Sequence, residues 1–91
     1  MAKLITAGGV ETEVLPKNGK HFSLKEMQDF VGGLIEILYT EDGQPIVVNE
    51  EGKLNGSDVN HMATDMWRGK NRPRQDHIVG DALFCAKGEI E

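Results

Sequence analysis

Cysteine is almost missing from this chain. Cys85 stands alone, so no disulfide can close within the chain, and no Cys/His spacing of the structural-zinc kind is present. That usage fits a reducing compartment. Long hydrophobic runs are missing as well: no apolar stretch approaches the roughly 18 residues of a membrane span. Met1 to Thr6 is followed by Ala7-Gly8-Gly9 and acidic residues rather than by an apolar secretory core, so no signal peptide is expected and a cytoplasmic location is. Positive charge is in deficit, with 10 Lys and Arg against 15 Asp and Glu and a formal charge of -5. The overall field therefore repels nucleic-acid phosphate, and only a local basic patch remains open to it. Ala7-Gly8-Gly9-Val10 lacks the spacing of a dinucleotide or phosphate loop, and His21, His61 and His77 form no HxH or HExxH pattern. No cofactor and no metal site is expected, and the three histidines read as separate surface or half-buried residues. Internal repeats and low-complexity segments are absent.

What is present is enough for one small domain. Ninety-one residues leave no room for a second core, and a domain of this size buries a modest share of its surface, so a homodimer is compatible with it. Lys3 to Thr6 is β-prone, Gly8-Gly9 marks a turn, and Val10 to Leu15 alternates, which predicts a hairpin with one wet face. Pro16 to Lys20 breaks the strand, with Asn18-Gly19 a turn dipeptide.

Ser23-Leu24-Lys25-Glu26 is a capping box, and Phe22 and Met27 have the spacing of a hydrophobic staple. Leu24, Met27, Phe30 and Val31 recur at helical spacing before Gly32-Gly33, which predicts a helix over 24–31. Leu34 to Thr40 and Pro45 to Asn49, joined by Glu41-Asp42-Gly43-Gln44, predict a second hairpin. Val59, Met62, Ala63 and Met66 predict a second helix over 58–67, capped by Ser57 or Asp58. His77 to Ala86 reads as a final strand, with Gly80-Asp81 a bulge or kink.

The fold class is then α+β, a small mostly antiparallel sheet with two short helices in the order ββαββαβ. The domain is expected over 1–86, with 87–91 a frayed tail. Leu4, Val14, Leu24, Met27, Phe30, Ile35, Ile37, Val47, Met62, Ala63, Ile78 and Leu83 are the expected core.

One ordered set of segments carries a further signal: Phe22 to Gln28, Val31-Gly32-Gly33-Leu34-Ile35-Glu36, Asn49-Glu50-Glu51-Gly52-Lys53-Leu54, Asn60 with Ala63-Thr64, and Ile78-Val79-Gly80-Asp81-Ala82-Leu83. In this set the chain resembles the DUF3846 family, over about residues 1 to 86. The resemblance implies a small protein of the bacteriophage or mobile-element type acting in a bacterial cytoplasm, and it implies no reaction. His61-Met62 and the segment Trp67 to Gln75 depart from the family's pattern.

Two groups of residues are candidates for a binding site; a small hydrolase using Glu50, Asp81 and a histidine is a third reading, which nothing in the spacing demands. The first is Asn49, Glu50 and Lys53 with Asn60, in the family-like block with Glu51. As a site they would form a polar pocket between the second hairpin and the second helix. In the alternative reading the asparagines bond turn backbones, which their short amides do well, and the charges are solvated. The second group is Trp67, Arg68, Arg72 and Arg74, with Lys70. It suits phosphate or nucleic-acid contact with the indole as a stacking surface, or else a basic loop with Trp67 packed at the core edge. Cys85 reads as a buried small hydrophobe, and Asp81 as a residue that shapes the Gly80 turn.

The function these readings support is a non-enzymatic accessory protein that binds a host protein or a small anionic ligand. Nucleic-acid binding through 67–74 is the alternative.

Overall fold

The computed structural model describes residues 2–52, 56–68 and 77–90, with Arg68 described as a helix position only. The elements are β1 (Ala2–Ile5), β2 (Glu11–Val14), α1 (Leu24–Val31), β3 (Ile35–Tyr39), β4 (Pro45–Asn49), α2 (His61–Arg68) and β5 (Ala82–Phe84). The order is the predicted ββαββαβ. The strands form one sheet in the order β2-β1-β5-β4-β3, with every neighbouring pair antiparallel. The fold is α+β.

Sequence pattern explains each strand's place. The inner strands β4 and β5 are apolar on both faces, and Ile46, Val47 and Val48, like Ala82, Leu83 and Phe84, are all buried. The outer strands alternate: Glu11-Thr12-Glu13-Val14 and Ile35-Glu36-Ile37-Leu38-Tyr39 keep polar residues between their apolar ones. Both hairpins close through three residues ending in a glycine at positive φ, Gly9 at 89° and Gly43 at 85°. In each, a threonine before the loop brackets it, as Thr6 N–H donates to Val10 O and Thr40 N–H donates to Gln44 O. A side chain at those glycines would sit in a strained left-handed backbone.

The sheet is covered on both faces, one helix to each. α1 packs Met27 and Val31 with Phe22, Val47, Leu83 and Cys85. On the opposite face α2 packs Ala63 and Trp67 with Ile5, Ile46, Val48, Ile78, Ala82 and Phe84. The start of α1 follows the sequence reading closely. Ser23 Oγ accepts from Glu26 N–H at 3.2 Å, and Glu26 Oε1 accepts from Ser23 N–H at 3.0 Å. Phe22 and Met27 bury together as the staple requires, and Phe22 meets Phe30 edge-on with centroids 6.0 Å apart. Gly32, at φ 83°, ends the helix in the left-handed conformation.

Five expectations are corrected. The second helix begins at His61, not near residue 58, and its cap is Asn60 rather than Ser57 or Asp58: Asn60 Oδ1 accepts from Ala63 N–H at 3.0 Å. Its buried stripe is Asn60, Ala63, Thr64 and Trp67, and Met62 and Met66 face out at 40% and 43% exposure. The small Ala63 side chain and the bonds of Thr64 Oγ1 to Ile78 fix that rotation. Leu24, also expected in the core, lies on the first turn of α1 and is exposed. The last strand contracts from 77–86 to Ala82–Phe84, because Gly80 at φ 75° turns the chain and Val79 instead bridges Val59. The segment after Ala86 is docked at residues 89 and 90. Phe22 N–H donates to Glu89 O at 2.6 Å, Phe22 bridges Ile90, and Ile90 packs on the α1-side core.

Candidate functional site

Two asparagines and two glycines bind the family-like segments into one knot. Asn49 ends β4, and its Nδ2 donates across to Val31 O at 3.1 Å while its Oδ1 accepts from Glu51 N–H at 2.7 Å. A Cβ at Gly33 would lie 3.1 Å from that amide, so the second glycine of Val31-Gly32-Gly33 is the one that admits Asn49. Asn60 is only 1% exposed. Its Nδ2 donates to Ile5 O at 2.8 Å and to Gly80 O at 2.9 Å, joining β1 to the turn before β5, while Oδ1 caps α2. Both amide protons are thus committed to main-chain carbonyls.

The same turn is held from three more sides. Gly80 N–H donates to Asp58 O at 2.8 Å, Ala7 N–H donates to Asp81 Oδ1 at 3.1 Å, and a Cβ on Gly52 would meet Val79 Cγ2 at 2.8 Å. Asp81 therefore secures the β1–β2 turn, as a residue that shapes local backbone should.

Beside this knot, on the α2 side of the sheet, lies a recess of about 340 Å³. Leu38, Val48, Trp67 and Ile78 supply its apolar lining, and Glu36, Asn49, Glu50 and His77 supply its polar lining, with Val79 closing one side. Its place in the fold follows from strand alternation: Glu36 and Leu38 sit on the same face of β3, opposite Val48 and Ile46 of β4. The indole of Trp67 is 7% exposed and belongs to the α2-side core. It offers a rigid wall rather than a free stacking plane.

The residues expected to form sites divide accordingly. Asn49, Glu50 and Trp67 come together at the recess, between the second hairpin and the second helix. Asn60 is not part of that lining. Lys53, Arg72 and Arg74 lie outside the described residues, as does the side chain of Arg68. Glu36 and His77 were not among the expected site residues. Glu36 was visible in the alternation of β3, but its meeting with His77, which is remote in sequence, depends on how the chain returns after α2.

Cys85 lies away from the recess, on the α1 side of the sheet. Burial pushes its thiol up to about 12, and the Glu89 carboxylate adds to the effect. Among the described residues, no three His, Cys, Asp or Glu side chains converge as a metal site, and no helix is long and apolar enough to cross a membrane.

A family model for a domain of unknown function, DUF3846, matches residues 5–91. The chain belongs to the DUF3846 family. In this DUF3846 protein the matched region extends past Ala86 and includes the docked residues Glu89 and Ile90. No curated protein and no solved structure matches the chain.

Proposed function

We propose that this DUF3846 protein is a small non-enzymatic accessory protein of the phage type, acting in a bacterial cytoplasm, and that it binds a segment of a host protein in the recess beside Trp67. Host takeover or anti-defence is the setting that the family resemblance suggests. The observation that carries the binding reading is the make-up of the recess: an apolar floor of Leu38, Val48 and Ile78, a buried indole, and a rim of Glu36, Asn49, Glu50 and His77. Apolar area with a few convergent polar groups is what a binding cavity needs.

The acidic side chains on the rim support a peptide rather than a small anion. Glu36 and Glu50 repel a small anion and attract a basic side chain. Asn49 has one amide proton beyond its bond to Val31 O, enough to bond a peptide carbonyl. A peptide segment carrying Lys or Arg beside an apolar residue meets all three features.

Trp67 is the only tryptophan in the chain and lines the recess, so its fluorescence reports on binding there or at the adjoining basic segment, and the variants tell the two apart. The test titrates the protein with Lys- or Arg-containing peptides, with inorganic phosphate and with single-stranded DNA. Saturable emission changes with basic peptides, weakened in Glu36→Gln and Glu50→Gln while the melting temperature holds, support the reading. Binding of phosphate or DNA with a steep salt dependence, and none of peptides, overturns it in favour of the basic segment at 68–74.

A further inference from the structure

We propose that the protein forms a two-fold homodimer through β3, joining two five-stranded sheets into one continuous antiparallel sheet. The two recesses then share a wall across the dimer axis.

The hydrogen bonds at the ends of the β3–β4 hairpin show which groups β3 leaves outward. Glu50 N–H donates to Leu34 O at 2.8 Å, and Thr40 N–H donates to Gln44 O at 3.0 Å. In an antiparallel ladder the residues that exchange bonds alternate along the strand. Positions 34, 36, 38 and 40 therefore face β4, and Ile35 and Ile37 turn their N–H and C=O groups to the outer edge. Among the described residues no strand lies beyond β3.

The two edges of the sheet differ in the way that matters for pairing. β2 carries Glu11 and Glu13, with Glu11 3.6 Å from Lys3 Nζ. Such charges blunt an edge. β3 has no proline and no lysine, and its one charge is Glu36.

A second copy fits this edge in one register. Ile37 placed opposite the second copy's Ile37 sets Ile35 against Tyr39 and Glu36 against Leu38. A shift by one pair toward Ile35 would set the two Glu36 carboxylates directly opposite, which is unfavourable, and a shift toward Tyr39 would leave Ile35 with no opposite residue in the second copy's strand. The chosen register also pairs an aromatic with a β-branched residue, a favoured cross-strand combination. Because Glu36 and Leu38 line the recess, the second copy's Leu38 lands beside Glu36 on that same face and extends the cavity wall. A chain this small gains from the added burial. The dimer stands on the β3 edge and holds whatever the recess binds.

Sedimentation equilibrium of the full chain from micromolar to submillimolar concentration is expected to show twice the 10.0 kDa chain mass. Crosslinking locates the interface. The Ile37 pair would have a Cα separation of about 5.5 Å, within the roughly 4.4–6.8 Å that a disulfide accepts. Under mild oxidation Ile37→Cys is expected to form a covalent dimer about tenfold or more faster than Glu11→Cys on the opposite edge, since pre-association replaces chance encounter. The buried native Cys85 gives a low background. Melting curves confirm that both variants fold, and a mixture of Ile35→Cys and Tyr39→Cys chains, which face each other in this register, replaces Ile37→Cys if that variant does not fold. A monomer at every concentration overturns the proposal, and so does a dimer that crosslinks no faster through β3 than through Glu11→Cys.

Discussion

Replacing Asn60 with alanine is expected to be the most damaging single change in the domain that leaves the hydrophobic core intact. The side chain makes three hydrogen bonds, to Ile5 O, Gly80 O and Ala63 N, from a site with 1% exposure. A neutral hydrogen bond contributes about 1 kcal/mol net, and a buried partner left unmatched costs about 1–3 kcal/mol. Ile5 O is in a strand and its second lone pair is available to the sheet, so its loss sits at the low end. The cap on α2 alone is worth about 1 kcal/mol. The expected loss is about 3–5 kcal/mol, set against a total of about 5–15 kcal/mol for a domain of ordinary stability.

At the lower figure the melting temperature drops by about 12–24 °C, since a domain of this size shifts by about 4–8 °C per kcal/mol. The assay is urea unfolding followed by circular dichroism, with wild type, Asn60→Ala and Asn60→Ser side by side. Serine keeps an acceptor for Ala63 N–H and loses the two carbonyl bonds, so it is expected to recover about 1 kcal/mol. An Asn60→Ala protein within about 1 kcal/mol of wild type at unchanged m-value would refute the reasoning.

Four further outcomes follow from particular contacts. Gly52→Ala puts a methyl 2.8 Å from Val79 Cγ2 and 3.3 Å from Val79 O; thermal melting is expected to show a loss of about 1–3 kcal/mol. Removing residues 87–91 strips Phe22 N–H of the Glu89 carbonyl and uncovers the site of Ile90; a loss of about 1–3 kcal/mol is expected, whereas a free tail would cost nothing. The Ser23 and Lys17 backbone amides hold the Glu26 carboxyl below its ordinary range. Its contribution is therefore present above the unfolded-state value and fades as pH falls through the folded one, so Glu26→Gln should flatten the acid limb of the stability curve. Cys85, buried with its thiol pushed up to about 12, should react with a thiol reagent at neutral pH only as fast as the protein opens, and at once in denaturant.

The parts of the fold legible in the sequence are those in which one stretch of chain carries the whole signal. The capping box, the staple and Gly32 define α1 locally, and the unbroken apolar run of β4 marks it as an inner strand. α2 was harder to read because its burial is decided by distant partners. Its two methionines look like a core stripe, yet Asn60 and Thr64 form bonds to residues about 14–55 positions away that rotate the helix until Met62 and Met66 face outward. A polar side chain whose partner is a remote main-chain carbonyl leaves no periodic trace. The final strand was overread for a related reason, since Gly80 turns a run that hydropathy alone continues.

The site was half legible. Asn49 and Glu50 stand out in the sequence as polar residues at the end of an apolar strand, and both line the recess. Asn60 carried the same signal for a different reason, because its amide serves the backbone. Glu36 and His77 join the site only through the return of the chain after α2.

The most direct test of the account is a two-dimensional amide spectrum of isotope-labelled protein, recorded as a Lys- or Arg-containing peptide that binds is added. Shifts are expected at Glu36, Leu38, Asn49, Glu50, the Trp67 indole N–H, His77 and Val79, with the amides of Asn60 and Ala63 unmoved. Shifts centred on β2 or on the outer face of α2 at Met62 and Met66, with the recess silent, would contradict it.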